Sequence, residues 1–256
     1  MRPAPAPDLP EGTPPALEVR GLSYAYPDGS PALAGVDLTV MPGERVAVLG
    51  PNGAGKTTLV LQLNGILEGQ GEVRVAGIDL GPRTRTEIRR RVGIVFQDTD
   101  DQLFMPTVEA DVAFGPANQG LRSDALRVRV QTALERVGLQ DEAAKAPHQL
   151  SAGQRRRAAV AGVLAMEPDV LVLDEPSSSL DPAARRELAD VLASLRVTTL
   201  LVTHDLPYAL ELCPRAVVLD RGIVVADGPT REVLADEGFM RAHRLELPAG
   251  FNPLGS

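Results

Sequence analysis

Arg45-Val46-Ala47-Val48-Leu49-Gly50-Pro51-Asn52-Gly53-Ala54-Gly55-Lys56-Thr57-Thr58 decides how this chain is built. Arg45 to Leu49 reads as a short apolar strand, and the residues after Gly55 read as helix formers through Leu67. Gly50, Gly55, Lys56 and Thr57 satisfy G-x-x-x-x-G-K-[ST] between them. Glycines let backbone N–H groups turn inward around phosphates, and the following helix adds its positive end. Lys56 is expected to reach the β- and γ-phosphates of a nucleotide, and the Thr57 hydroxyl to ligate Mg²⁺. A glycine-rich turn is the plain alternative, but strand before and helix after are the context a phosphate loop requires.

A second strand supplies the acids. Val170 to Leu173 is a continuous apolar run of the kind found in buried parallel strands, and it ends in Asp174-Glu175. Asp174 is placed to hold Mg²⁺ through water, and Glu175 to orient or deprotonate an attacking water. Strand-end acids also serve as solubilising residues or helix caps; the phosphate loop gives these two a partner. No Asn-Lys-x-Asp occurs, which argues against a guanine-specific enzyme.

The bulk numbers set limits. A chain of 256 residues suits one large domain or two closely joined subdomains. Apolar residues at 44% and charged residues at 23% are ordinary for a globular protein. A net charge of −8 argues against nucleic-acid binding through a broad basic face. Cys213 is the only cysteine, so no intramolecular disulfide can form, and a reducing cytoplasm fits. No window approaches the roughly 20 apolar residues that span a bilayer, and no signal peptide is evident. A link to a membrane would have to run through a partner.

Residues 1–16 carry a Pro-rich stretch expected to be a disordered arm. Leu17/Val19 and Leu22/Tyr24/Tyr26 alternate with a break at Gly21, which predicts a kinked strand. Asp28-Gly29 predicts a turn and Leu38 to Val40 a return strand. Val92 to Phe96 and Thr199 to Val202 read as further buried strands, Ala125 to Val137 and Arg155 to Met166 as helices. Ala216 to Val225 reads as a hairpin around Asp220-Arg221-Gly222, and residues from Pro248 as a loose tail. The expected fold is an α/β phosphate-loop NTPase core with an antiparallel β subdomain and an inserted helical subdomain, over 17–247 with the helical part near 98–165.

Leu150-Ser151-Ala152-Gly153-Gln154 lies between the loop and the acidic strand. Ser151 and Gln154 have the spacing of a capping box, and a capped helix N-terminus is an anion site. The pentapeptide resembles the signature of the ATP-binding cassette (ABC) family, with alanine at 152 where the family usually has glycine. The resemblance covers Leu17 to about Pro229 and implies ATP and Mg²⁺ as ligands. By it, Gly50 to Thr58 contact the nucleotide, Ser151 and Gly153 meet the γ-phosphate held by a second subunit, Gln154 joins them in binding the nucleotide, and Asp181 belongs to the D-loop of Ser179-Leu180-Asp181. Gln97 matches the Q-loop glutamine that touches Mg²⁺, His204 the switch histidine, and Tyr26 the aromatic that stacks on adenine. Each has a plainer reading: Gln97 a loop residue, His204 a surface histidine, Tyr26 a packing residue, Asp181 an N-cap with Pro182 behind it. Ala152 would cost roughly 1 kcal/mol or more if its φ had to be positive.

Phe96 to Phe104 (FQDTDDQLF), Pro106 to Glu109 and Asp111 to Pro116 narrow the resemblance. They are similar to the ATPase subunits of energy-coupling-factor importers, especially the cobalt/nickel group. That implies a homodimer, or a heterodimer with a related ATPase subunit, bound to a transmembrane coupling protein and a substrate-binding membrane component at the cytoplasmic face. The cargo would be cobalt, nickel or a vitamin, and nucleic acid is not expected. Leu103 and Phe104 either face the coupling protein or start the buried helical subdomain. Arg83, Arg85 and Arg89 to Arg91 read as a solvated basic face. The competing functions are a soluble ABC ATPase that remodels a protein or nucleic-acid complex, and a metabolic kinase.

Overall fold

The computed structural model describes residues 9–10 and 12–254. The elements in chain order are β1 (Leu17–Ala25), β2 (Pro31–Val40), β3 (Arg45–Leu49), α1 (Lys56–Leu63), β4 (Gln70–Val75), β5 (Ile78–Asp79), α2 (Arg85–Arg91) and β6 (Val92–Val95). Then come α3 (Val108–Asn118), α4 (Ser123–Arg136), α5 (Ala152–Leu164), β7 (Val170–Asp174), α6 (Pro182–Ser194) and β8 (Thr198–Val202). The chain closes with α7 (Leu206–Leu212), β9 (Arg215–Asp220), β10 (Ile223–Pro229), α8 (Thr230–Ala235) and α9 (Glu237–Ala242).

Two sheets form. The larger runs β10-β9-β3-β8-β7-β6, parallel throughout except for the antiparallel edge strand β10. The smaller, β2-β1-β4-β5, is antiparallel. Side chains that alternate along the parallel strands feed two cores. Ala47, Leu49, Leu171, Leu173 and Leu201 pack with α3 to α7, while Val46, Val48, Val170, Val172 and Val202 pack with α1 and the smaller sheet. Burial on both faces is why these strands are apolar without a break. Between β6 and β7 the chain inserts α3, α4 and α5, which pack on one another. The α/β core, antiparallel subdomain and helical insertion expected from the sequence are all present.

Some local expectations need correction. The helix after the phosphate loop stops at Leu63, where Asn64 caps it and Gly65 turns left-handed at φ +68°. The Ile66 and Leu67 N–H groups both fold back to the Leu61 carbonyl. β4 and β5 went unpredicted, because only Val73 and Val75 of β4 are buried and no alternation shows. The basic run apart from Arg83 forms α2, where solvation is only part of its role. Arg89 donates to the Asn64 and Gly65 carbonyls at the end of α1, Arg85 pairs with Glu68, and Arg91 with Glu87 and Asp169.

The described residues at the ends of the chain make a few contacts with the rest. Much of the Pro-rich arm lies outside the described residues, yet Ala16 is buried and its carbonyl accepts from Ala76 N–H at 3.0 Å. In the tail Pro253 is buried and the Leu254 carbonyl accepts from Arg231 at 3.3 Å. Residues 255–256 lie outside the described set.

Candidate active site

Parallel strands point their carboxyl ends the same way, so the loops after β3, β6, β7 and β8 gather at one edge of the sheet. There a cavity of about 450 Å³ opens. Tyr26, Asn52 to Thr58, Gln97, Asp174, Glu175 and His204 line it, with Ser30, Pro31 and Ala32 from the start of β2. Twelve of the residues singled out in the sequence are thus brought to one place.

The phosphate loop fits too closely for side chains at its ends. A Cβ at Gly50 would overlap the Leu219 carbonyl oxygen, and one at Gly55, where φ is +101°, the Ala32 carbonyl oxygen. Buried Lys56 donates through Nζ to the Gly50 and Pro51 carbonyls at 2.8 and 3.1 Å. Burial pulls its pKa down, against the attraction of Glu175 and Asp174. The ammonium is thus already aimed across the loop.

Thr57 Oγ1 donates to Asp174 Oδ2 at 3.0 Å. The other Asp174 oxygen, Oδ1, is buried and has no hydrogen-bond partner among the described residues. Burial pushes this carboxyl up, opposed by the Thr57 bond and by the charges of Lys56 and Arg156. A buried carboxylate oxygen without a partner costs free energy unless a donor or cation meets it.

Glu175 sits just past β7 with φ +48°, a left-handed conformation that costs a non-glycine residue on the order of 1 kcal/mol or more. Its N–H donates to the Val202 carbonyl at 2.8 Å, which ties it to β8. One carboxylate oxygen, Oε2, collects Thr203 Oγ1 at 3.2 Å, the His204 N–H at 3.3 Å and His204 Nδ1 at 2.9 Å. The His204 ring itself is 65% exposed. One carboxylate oxygen is therefore fixed, and the imidazole stands at the solvent side of the pair.

Tyr26 is part-exposed; its hydroxyl pairs with Thr58 Oγ1 at 2.8 Å and its ring stands edge-on to Tyr24. Gln97 is exposed at the cavity, and its backbone carbonyl is held by Arg156. Buried Arg156 on α5 grips the Phe96 carbonyl at 2.7 Å and the Gln97 carbonyl at 2.8 Å. Sequence reading missed Arg156, Thr203 and the Ser30–Ala32 wall. Arg156 is the middle of three consecutive arginines on α5 and Thr203 directly precedes His204, and neither position by itself marks a site.

Ser151, Gly153, Gln154 and Asp181 do not reach this cavity. Ser151 Oγ accepts from the Gln154 N–H at 3.2 Å and Gln154 Oε1 accepts from the Ser151 N–H at 2.9 Å, closing the capping box at the start of α5. Ser151 and Ala152 are exposed. Gly153 lies against α6, where a Cβ would come within 2.6 Å of Ala184 Cβ. Asp181 caps α6 through Ala183 and Ala184 N–H, with Pro182 at its first position. Ala152 is the first residue of α5 and is absent from the positive-φ residues, so the backbone cost considered for it does not arise.

A family model described as ABC transporter matches residues 33–178, more than half the chain and both motif-bearing strands. The chain belongs to the ABC transporter family. An ABC transporter ATP-binding protein of Streptomyces avermitilis, a name it carries provisionally, is 67% identical over 93% of this chain and 92% of its own length. The energy-coupling factor transporter ATP-binding protein EcfA of Methanothermobacter thermautotrophicus is 47% identical over 91% of this chain and 76% of its own. Among solved structures, cbiO1 of Clostridium perfringens, part of the ABC transporter complex cbiONQ, superposes with a TM-score of 0.81 at 39% identity, covering 92% and 96% of the two chains. This ABC protein is an ATPase whose hydrolysis is coupled to transport, and it resembles the ATP-binding subunits of energy-coupling-factor transporters.

Proposed function

We propose that this ABC ATPase works as a closing dimer on the cytoplasmic face of a membrane, where it powers an importer of the energy-coupling-factor type. One observation carries the reading: the capped, exposed start of α5 stands outside the chain's own phosphate cavity. An anion site without an anion of its own is explained by a second subunit, homologous or identical, whose phosphate loop faces it. Each ATP would lie between Gly50 to Thr58 of one subunit and Ser151, Gly153 and Gln154 of the other, with Asp181 near the junction.

Within one half-site the roles follow from position. Lys56 neutralises phosphate charge, and Tyr26 with Pro31 and Ala32 forms the wall for the adenine. Glu175 takes the proton of the attacking water, held for this by Thr203, while His204 faces the terminal phosphate. Gln97 reports the state of the site to the partner. Catalysis is then positioning and charge stabilisation, as phosphoryl transfer requires. Thr57, Asp174 and Gln97 fit Mg²⁺, since all three line the cavity, Thr57 Oγ1 is joined to Asp174 Oδ2, and the second Asp174 oxygen has no partner among the described residues. Such an ion, when bound, spreads the charge of the phosphates.

No helix among the described residues is long and apolar enough to cross a membrane. The partner surface we assign is the pair Phe104 and Phe114, 60% and 45% exposed and edge-to-face at 4.9 Å beside the Q-loop segment. Leu103 packs against the core, which supports Phe104 rather than Leu103 as the residue that faces the coupling protein. Asp111 Oδ1 holds this loop through the Phe104 and Met105 N–H groups at 3.0 and 2.9 Å. We read the cargo as a cobalt or nickel ion, or a vitamin, on the strength of the Phe96 to Pro116 motifs.

Glu175→Gln tests the site. Turnover should fall about a thousandfold while ATP binding persists and an ATP-bound dimer accumulates, measured by phosphate release and gel filtration. Hydrolysis at the wild-type rate would remove Glu175 from the chemistry.

A further inference from the structure

The phosphate loop is seated on the end of the β9–β10 hairpin. The turn there is a two-residue loop, Arg221-Gly222, with φ +50° and +79°, the primed geometry that matches strand twist. Gly222 N–H donates to the Ala54 carbonyl of the phosphate loop at 2.9 Å, and the Gly222 carbonyl accepts from Ala34 N–H of β2 at 2.8 Å. A Cβ at Gly222 would lie 2.6 Å from the Ala32 oxygen and 2.9 Å from Leu33 Cα. One turn therefore touches two walls of the cavity, the phosphate loop and the Pro31–Ala32 side.

The turn is anchored from behind. Asp220, its first residue, is buried and takes His243 Nδ1 at 2.9 Å on Oδ2 and Arg244 at 3.3 Å on Oδ1. His243 and Arg244 directly follow α9, whose Met240 is buried, as is Leu245 just beyond it, and the Leu245 N–H closes back on the Met240 carbonyl at 2.8 Å. The His243 ring also packs, tilted, against Phe239 with the centroids 4.5 Å apart. The hydrogen bond from His243 is the largest cause holding the Asp220 carboxyl below its usual range. A polar clamp, with Arg244 as its cation, thus fastens the hairpin to a segment that is itself packed in the core.

We propose that Asp220 is a positioning residue of the nucleotide site, fastening the C-terminal helix α9 to the turn on which the phosphate loop and β2 rest. The proposal relies on reading that cavity as the ATP site and adds to it a distant determinant of affinity. Loosening the clamp lets the Gly222–Ala54 contact shift, and the loop amides then meet the phosphates less well.

Titration calorimetry of the full chain with a non-hydrolysable ATP analogue separates this from plain destabilisation, because it yields stoichiometry and Kd independently. Asp220→Ala and the pair His243→Ala/Arg244→Ala should weaken Kd at least about fivefold with stoichiometry unchanged. Asp220→Asn, which keeps the shape and one acceptor oxygen, should fall between them and wild type. Arg241→Ala, on the same helix but paired only with exposed Glu237, should match wild type. A fall in stoichiometry at constant Kd, or an unchanged Kd in all clamp variants, overturns the proposal. A wild-type chain that fails to bind overturns the nucleotide site itself, and the clamp with it.

Discussion

The phosphate-loop cavity and the start of α5 are the two regions we propose to meet phosphate, and they are built in opposite ways. The cavity is dense with buried charge: Lys56, Asp174 and Glu175 are all nearly shielded, and one oxygen of Asp174 has no partner. The α5 terminus carries no acidic residue in its first turn, lies open, and has its box already closed by Ser151 and Gln154. Buried charges need a ligand to complete them. A capped helix end needs none to be stable and offers a modest field to whatever is brought to it. On the proposed shared-site reading, affinity for nucleotide belongs to the first region, and the second contributes only when another subunit closes on it.

Ser151→Arg is the hardest test of that division. It should leave nucleotide Kd unchanged and lower turnover about a hundredfold, as expected for a lost transition-state contact. A matching loss of Kd, measured by calorimetry on the dilute chain, would mean that the two regions are not separate. The smallest effect is expected from Ala152→Gly, which restores the residue usual in the family. Position 152 needs no positive φ, so turnover should stay within about twofold and stability should drop by up to about 1 kcal/mol from glycine's cost in a helix. A tenfold rise in ATPase rate would show instead that the alanine Cβ presses on the partner's nucleotide.

The two regions were also unequally legible in the sequence. The phosphate loop and the acidic strand end could be read because their chemistry lies within a few consecutive residues flanked by unbroken apolar runs. Ser151 and Gln154 could be read as a capping box for the same reason. Arg156 and Thr203 were invisible, since their partners lie far along the chain: Arg156 holds carbonyls of Phe96 and Gln97, and Thr203 holds Glu175. Packing brings such pairs together, and no local spacing announces them. β4 and α2 were missed for a related reason, each burying too few apolar residues to leave a period. The clamp at Asp220 belongs to the same class, its histidine and arginine arriving from the far end of the chain.

The central claim is that each active site is shared between two chains, and mixing two dead variants tests it most directly. Lys56→Ala disables the phosphate cavity and Ser151→Arg the α5 terminus, so each variant alone should keep no more than about a hundredth of wild-type turnover. In a mixed dimer one site pairs an intact cavity with an intact terminus. If the sites act independently, an equimolar mixture should recover about a quarter of wild-type turnover. No recovery in a mixture shown to form dimers would contradict the shared site.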